Sequence, residues 1–247
     1  MRLAMSQSNY IPWRGYFDLI ASVDAFVIYD DVQYTKADWR NRNRVKTRDG
    51  VKWLSVPIYA NHNFPALIRD TELAGTNWSL KHWRTIHHAY GKARHFAFAA
   101  PILEELLFTP FRTISQLNIA LIRNIAQLLG INTPITVASD HEPVFGKLTR
   151  PAEMCAQLGA TVYVSGPRGR DYLVPSVFAD RGVGVEWFDY SGYPEYPQLW
   201  GEFVPDLSVI DLLFNCGAEA GRYMKHVPPI DQTQGGSTTI APARPGA

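Results

Sequence analysis

Cysteine is scarce in this 247-residue chain, and long apolar runs are missing. Cys155 and Cys216 are too few for a disulfide framework, so we expect reduced thiols and a cytosolic protein. No stretch reaches the ~18 apolar residues that a membrane-spanning helix needs. The N-terminal segment MRLAMSQSN lacks the apolar centre of a signal peptide. The sequence therefore predicts neither a disulfide-rich secreted domain nor a membrane span.

The chain also lacks an excess of either charge and the common catalytic and metal-binding motifs. Its 24 Lys and Arg residues nearly balance 23 Asp and Glu residues, for a net charge of +1. So little net charge gives no bulk attraction for duplex nucleic acid. No pair of the seven histidines has zinc-protease spacing, and G-x-S-x-G and G-x-G-x-x-G are both missing. We predict no metal site and no nucleic acid duplex as partner, and the sequence indicates no particular cofactor.

Apolar segments of strand and helix length alternate along the chain, and 46% hydrophobic residues suffice for a sizeable core. The alternation predicts an α/β fold with a mainly parallel sheet and a helical lobe inserted at about residues 78–130. We expect one α/β domain over residues 1–226 and a disordered Pro-, Gly- and Thr-rich tail over 227–247. The predicted strands are 3–6, 26–29, 53–58, 135–138, 161–164 and 183–187, and the predicted helices are 12–22, 78–90, 111–129, 150–158 and 207–215.

Polar residues follow the first predicted strand. Ligands of α/β proteins bind where parallel strands end, and side-chain amides there can hold a ligand carbonyl or hydroxyl. The following helix offers free N–H groups to an anion, and its glycine lets another group approach the backbone. The alternative is a capped helix start whose aromatic residues belong to the core. The candidate substrate-binding residues are Gln7, Asn9, Tyr10, Trp13, Gly15 and Tyr16.

Two carboxylates stand at the end of the second predicted strand. Asp30 and Asp31 could serve as a general base or accept hydrogen bonds from ligand hydroxyls. Neighbouring strand residues point to opposite sides, so only one of the two should face a site, and periodicity does not choose between them. Gln33 joins them as a substrate-binding candidate. The alternative is that one aspartate caps a turn while the other is solvated.

A basic and aromatic stretch comes next. Arginines spaced two apart line one face of an extended chain, and their planar guanidinium groups bind phosphate or carboxylate. The alternative is a solvated edge strand that its charge protects from aggregation. The candidate residues are Lys36, Trp39, Arg40, Asn41, Arg42 and Arg44.

Two weaker candidates lie further along the chain. A strand runs into the Gly-rich segment SGPRGRDY, which could cradle an anion although it lacks a P-loop's lysine. Its candidate residues are Ser165, Arg168 and Tyr172, and the alternative is a crossover turn. His82 shares a predicted helix with Trp78 and is a reserve general base. The alternative, surface or core packing, is the simpler explanation.

Several motifs resemble the WbqC-like protein family. They are QSNYIPWRGYFDLI, VIYDDVQYTKADWRNRNRVKT, WLSVPI, GATVYVSGPRGRDYL and YPQLWGEFVPDLSVIDLLFNCG, colinear over about residues 3–217. The resemblance implies a bacterial protein from O-antigen, other polysaccharide or secondary-metabolite gene clusters. It implies a transfer of an amino acid or another acyl group to a sugar. It assigns no catalytic residue, so the candidates rest on the residues themselves.

A looser similarity connects the chain to adenylyl-transferring α/β enzymes such as pantothenate synthetase. Their H-x-G-H motif corresponds here to Trp13-Arg14-Gly15-Tyr16, in which only the glycine matches. This similarity implies a Rossmann-like sheet and puts the adenylyl-transfer chemistry in doubt. A nucleotidyltransferase-like ligase stays an alternative function.

Our hypothesis from the sequence is an acyl- or aminoacyltransferase that acts on an amine of a small acceptor such as a sugar nucleotide. Asp30 or Asp31 would be the base, with His82 in reserve. Gln7, Asn9 and Asn41 would donate hydrogen bonds to the oxyanion. The arginines Arg40, Arg42 and Arg44 would hold phosphates of a nucleotide, an acyl-CoA or a carrier-protein thioester. The rival hypothesis is a non-catalytic binding or scaffolding protein of a biosynthetic complex, and the oligomeric state is left open.

Overall fold

A computed structural model describes residues 1–59, 66–144, 146 and 149–230. The predicted tail therefore lies outside the described residues from position 231 onward. The strands are β1 (Arg2–Gln7), β2 (Ala25–Tyr29), β3 (Arg42–Thr47), β4 (Gly50–Ser55), β5 (Ile135–Val137), β6 (Val162–Ser165) and β7 (Gly184–Trp187). The α-helices are α1 (Arg14–Ala21), α2 (Asn77–Tyr90), α3 (Phe96–Phe108), α4 (Ile114–Leu128), α5 (Arg150–Gln157), α6 (Pro175–Ala179) and α7 (Val209–Cys216).

Five strands pair in parallel in the order β5-β2-β1-β6-β7. The central strand β1 places Ala4 opposite Phe26 of β2 and Val164 of β6. Along the chain, β2 and β5 are added on one side of β1, and β6 and β7 are then added on its other side. The direction in which strands are added therefore reverses between β1 and β6. In parallel sheets of this kind, that reversal opens a crevice at the carboxyl ends of the strands. The predicted α/β, Rossmann-like class is confirmed.

Buried side chains cover both faces of the sheet, which explains the continuous apolar character of its strands. Ala4, Phe26 and Ile28 face the larger core, which α1, α3, α4 and α7 complete. Leu3 and Val27 face a smaller core, which is formed largely by α5, α6 and β6. Neighbouring strand residues thus enter different cores, as the two-residue repeat of a strand requires.

The connection from β2 to β5 contains an antiparallel hairpin and three helices. The predicted strand at 53–58 begins earlier, at Gly50, and pairs with β3 rather than with the main sheet. Helix α4 begins at a capping box in which Thr113 and Gln116 bond each other's backbone N–H groups. Helix α3 lies in a region for which the sequence predicted no element. Among the described helices, none is both long and apolar enough to cross a bilayer.

A buried polar network joins the hairpin to helices α2 and α7. The Tyr90 hydroxyl donates to Asp211 Oδ2 over 2.8 Å and accepts from the Lys46 backbone N–H over 2.9 Å. The Tyr196 side chain also hydrogen-bonds Asp211. Burial raises the pKa of Asp211 to about 6, against the opposing effect of these tyrosine hydrogen bonds.

The variant Asp211→Asn should remove a pH dependence of stability. The Asp211 pKa is about 6 in the folded protein and 3.8 in an ordinary carboxyl group. The folded state therefore binds the proton more tightly. The protonated Asp211 carboxyl therefore stabilises the folded state fully below pH 3.8, and this stabilisation is lost as the pH rises through about 6. The shift corresponds to about 3 kcal/mol.

Urea unfolding across the range from about pH 4 to pH 8 measures this contribution. The free energy of unfolding of the wild type, relative to that of Asp211→Asn, should fall as the pH rises. A difference that stays constant over this range would contradict the pKa shift.

Candidate functional site

The turn that follows β1 is strained and heavily bonded. Ile11 has a φ of 36°, which is rare for a β-branched residue. Its carbonyl accepts from Asn43 Nδ2 over 2.8 Å and from Ser208 Oγ over 2.7 Å. Asn43 also donates to the Tyr10 carbonyl over 3.1 Å. Strain of this kind is typical of functional sites, and here the hairpin and α7 hold it in place.

Gln7, Asn9 and Arg40 meet at the carboxyl end of β1. The Asn9 Oδ1 atom accepts a hydrogen bond from Arg40 Nη1, and Arg40 lies 3.6 Å from the Asp38 carboxylate. Burial lowers the pKa of the Arg40 guanidinium, and the Asp38 charge opposes that shift. Gln7 Oε1 and Arg40 Nε are buried and have no hydrogen-bond partner among the described residues. Of the two predicted amide residues, Asn9 therefore bonds a partly buried cation, and Gln7 has a buried acceptor without a partner among the described residues.

Aromatic rings cover the start of α1. The Trp13 ring lies 5.3 Å from the Tyr190 ring and 5.8 Å from the Tyr193 ring. A Cβ atom added at Gly15 would come within 2.4 Å of the Trp13 indole, so only glycine allows this packing. The Tyr16 hydroxyl donates to the Gln7 carbonyl over 3.2 Å. Gly15 thus serves ring packing, and Tyr16 contacts the strand end directly.

Asp30 and Asp31 bind different partners. The buried Asp30 carboxylate accepts from the Ser139 N–H over 3.2 Å and from the Ser139 hydroxyl over 2.8 Å. Burial raises the pKa of Asp30, and the Ser139 hydrogen bonds oppose the increase. Asp31 instead accepts from Arg150 Nη1 over 2.9 Å and lines a cavity of about 220 Å³. Of the two aspartates, Asp31 lines this cavity and Asp30 does not.

Residues that the sequence interpretation missed complete the cavity. Arg69, Ser139, His141 and Arg150 all line it. Residues 139–141 directly follow a predicted strand, so the strand-end rule could have identified Ser139 and His141. Arg69 and Arg150 reach the cavity from distant parts of the chain, and their local sequence gave no signal.

The hairpin arginines stack on tryptophans. The Arg42 guanidinium lies 4.5 Å from the centre of the Trp53 ring, and the Arg44 guanidinium lies 5.9 Å from both the Trp39 and Trp53 rings. The two indole rings are 5.4 Å apart. Arg42 and Arg44 share a face as predicted, whereas Arg40 precedes the strand and bonds Asn9.

The remaining candidates of this region differ in exposure. Asn41 donates from Nδ2 to the Val56 carbonyl over 2.8 Å, and its Oδ1 has no partner among the described residues. The amide donor of Asn41 is therefore committed to the backbone. Gln33 and Lys36 are exposed, and the Gln33 backbone forms a bridge with Leu67.

His82 is part of a buried aromatic cluster. Its Nδ1 lies 2.9 Å from the Tyr10 hydroxyl, its ring lies 5.3 Å from the Trp78 ring, and it hydrogen-bonds the Ser55 backbone. Burial lowers the pKa of His82 to about 4. His82 thus ties Tyr10 to the end of β4.

The Gly-rich segment forms a 3-10 helix at Pro167–Asp171, directly after β6. Ser165 is buried and donates from Oγ to the Gly166 carbonyl over 3.2 Å. Arg168 and Tyr172 are exposed. Of this segment, Ser165 therefore lies closest to the crevice between β1 and β6.

Unpartnered polar atoms concentrate at these candidates. Within the described residues, nine buried side-chain polar atoms have no hydrogen-bond partner. Buried polar atoms are usually paired, so such atoms need an explanation. Five of the nine belong to predicted substrate-binding residues: Gln7, Arg40, Asn41, Arg42 and Arg44. In the described part of the chain, no group of three or more His, Cys, Asp or Glu residues is placed to hold a metal ion.

Comparisons with known proteins identify relatives. The profile of a family described as the WbqC-like protein family matches residues 7–223. A Mycobacterium tuberculosis protein described as "Uncharacterized protein Rv1507c" is 49% identical over 226 residues, which are 91% of this chain and 98% of that protein. No solved structure matches the chain. The matched range includes every candidate site residue.

The variant Asn43→Ala should destabilise the strained turn. It removes two buried hydrogen bonds to the Tyr10 and Ile11 carbonyls. We expect a loss of about 2–4 kcal/mol in the free energy of unfolding, because each bond contributes ~1 kcal/mol and the carbonyls lose a partner. Urea unfolding measures it. The exposed Asn132→Ala is the matched control and should stay within about 0.5 kcal/mol of the wild type. Equal stability of the two variants would contradict the role of Asn43.

His82 should stay neutral at every pH near neutrality. Its pKa of about 4 follows from burial, so nitrogen NMR of the imidazole between about pH 5 and pH 8 should show one tautomer and no titration. The His82→Gln variant identifies the resonance by its disappearance. A titration midpoint near the ordinary value of 6.5 would mean that the ring is accessible to water.

Proposed function

The chain belongs to the WbqC-like protein family, and from this premise we propose that it is a small-molecule transferase of bacterial glycan or secondary-metabolite biosynthesis. It joins an acyl or aminoacyl group to an amine of a sugar-nucleotide acceptor. The donor is an acyl-CoA or a carrier-protein thioester. The site lies at the carboxyl edge of the parallel sheet.

The observation that carries this proposal is the cluster of unpartnered polar atoms beside the strand ends. Gln7, the last residue of β1, is paired in register with Tyr29, the last residue of β2. Asn9 and Asp31 each follow these strand ends by two residues, at the same edge of the sheet. Gln7 Oε1 and Arg40 Nε, both buried without a partner among the described residues, lie at this edge. A bound substrate would supply the missing partners.

The cavity beside Asp31 supports a reaction rather than binding alone. Its lining combines one carboxylate with Arg69, Arg150 and His141, and the ion pair with Arg150 fixes the orientation of Asp31. In the proposed step, the acceptor amine attacks the thioester carbonyl and Asp31 takes the amine proton. The attack forms the C–N bond and a tetrahedral oxyanion. When this oxyanion collapses, the C–S bond breaks, Asp31 returns the proton to the leaving sulfur, and a thiol is released.

Other residues are proposed to support this step as oxyanion donors or as positioning residues. The side-chain amides of Gln7 and Asn9 donate to the developing oxyanion. Asn41 is not assigned this role, because its Nδ2 atom already bonds the Val56 carbonyl. Asp30 holds Ser139 and thereby the end of β5, which makes it a positioning residue.

A specific observation favours the second candidate, a non-catalytic binding or scaffolding protein. Trp39 and Trp53 are 38% and 47% exposed and lie side by side. Exposed aromatic surfaces of this kind are used by partner proteins. A transferase converts an acyl donor and an acceptor, whereas a scaffolding protein does not. An activity assay therefore decides between the two candidates.

The variants Asp31→Asn and Asp30→Asn test the base assignment. Asp31→Asn should lower the transfer rate by about 10²–10⁴-fold, the range for acid–base catalysis, and should leave the melting temperature nearly unchanged. Asp30→Asn, the matched control, keeps an oxygen that accepts from the Ser139 N–H, and its new NH2 group can donate to the Ser139 hydroxyl. It should lower the rate by less than about tenfold. Thiol release from acyl-CoA and mass spectrometry of the acceptor measure the reaction.

Two results would contradict the proposal. Full activity of both variants would place the base elsewhere. A wild type that turns over no donor and acceptor pair, but binds a partner protein from its biosynthetic cluster, would establish the scaffold instead.

A further inference from the structure

Beside the β3–β4 hairpin, two exposed indole rings, tilted by 35° against each other, lie next to arginines without a carboxylate partner among the described residues. Trp39 and Trp53 form a pair of exposed indoles, which we call the tryptophan platform. Arg42 lies 4.5 Å from the Trp53 ring. Neither Arg42 nor Arg44 has a carboxylate within 4.0 Å among the described residues. The buried Nε atoms of both arginines also have no partner in the described parts of the chain.

A row of contacts leads from the tryptophan platform to the end of β1. Burial raises the pKa of the Tyr34 hydroxyl to about 12, and the charges of Arg40 and Arg42 oppose this increase, so both cations lie near this hydroxyl. Arg40 in turn bonds Asn9. Arg40 lies in the turn directly before β3, and Arg42 is the first residue of β3. Their Cα atoms are therefore at most about 7 Å apart, and both long side chains can reach one diphosphate.

We infer that this row binds a nucleoside diphosphate. The base stacks on the tryptophan platform, Arg42 and Arg40 hold the two phosphates, and the group beyond the second phosphate reaches Gln7 and Asn9 at the end of β1. This inference rests on the proposed function for the position of the sugar. It adds to that function a binding place for the nucleotide half of the acceptor.

The combination of groups selects this ligand class. A small carboxylate or free phosphate would use the arginines and leave the indoles exposed, and a neutral apolar ligand would leave the charges unpaired. Bases stack on aromatic side chains irrespective of base identity, and arginine adds its cation–π attraction. A phosphate pair accepts the planar, forked donors that guanidinium groups present.

Calorimetric titration with ADP, GDP, CDP, UDP and dTDP tests the inference without any acyl donor. At least one should bind the wild type, and its free nucleoside and inorganic pyrophosphate should each bind more weakly. Trp53→Leu should weaken binding by about 5- to 150-fold, the range for one stacked base. Arg42→Gln should weaken it by about 10- to 150-fold, the range for hydrogen bonds to charged groups.

Matched controls come from another part of the chain. Phe108→Leu changes an aromatic residue as exposed as Trp53, and Arg112→Gln changes a 79% exposed guanidinium. Both should bind the diphosphate like the wild type. Trp39→Leu is the second platform variant, in case Trp53→Leu fails to fold by circular dichroism.

The outcomes separate this inference from the proposed function. Failure of all five diphosphates to bind at millimolar concentration would overturn the inference, as would wild-type affinity of both Arg42→Gln and a folded platform variant. Acyl transfer to a nucleotide-free amino sugar, unchanged in Arg42→Gln, would overturn it as well and leave the transferase intact. Diphosphate binding that both variants lose, without any turnover, would support the inference and reject the transferase.

Discussion

One backbone carbonyl, that of Ile11, joins three parts of the chain. It belongs to the turn after the central strand, and it accepts from Asn43 on the hairpin and from Ser208 at the start of α7. The left-handed conformation of a β-branched residue costs about 1–3 kcal/mol, and the two buried donors offset that cost. The same turn carries Asn9 and Tyr10. The geometry of the candidate site therefore depends on how the hairpin and α7 are docked, although neither belongs to the main sheet.

The features that the sequence could predict are local ones. Continuous apolar runs identified β1 and β2, because a parallel strand covered on both faces has no polar side. The divergence of Asp30 and Asp31 follows from the same geometry, and the structure gives them the separate partners Ser139 and Arg150. The strand-end rule likewise pointed to Gln7 and Asn9. Gln7 Oε1 is buried without a partner among the described residues, and Asn9 accepts from Arg40.

The features that the sequence could not predict depend on long-range packing. Helix α3 contains Pro101 and is apolar on nearly all sides, so it carries no helical periodicity. The register of β4 is set by its pairing with β3, and this pairing shifted the predicted strand by three residues. Arg150 reaches Asp31 across 119 positions of chain. Nothing in its own neighbourhood marks it as part of a site.

The pairing of β1 with β6 also has a consequence for biosynthesis. Arg2 lies opposite Val162, so β1 leaves the ribosome well before β6, the strand that closes its second edge. Such distant pairing slows folding, and an open apolar edge invites association with other nascent chains. The most central element of the fold is thus its most vulnerable one during synthesis.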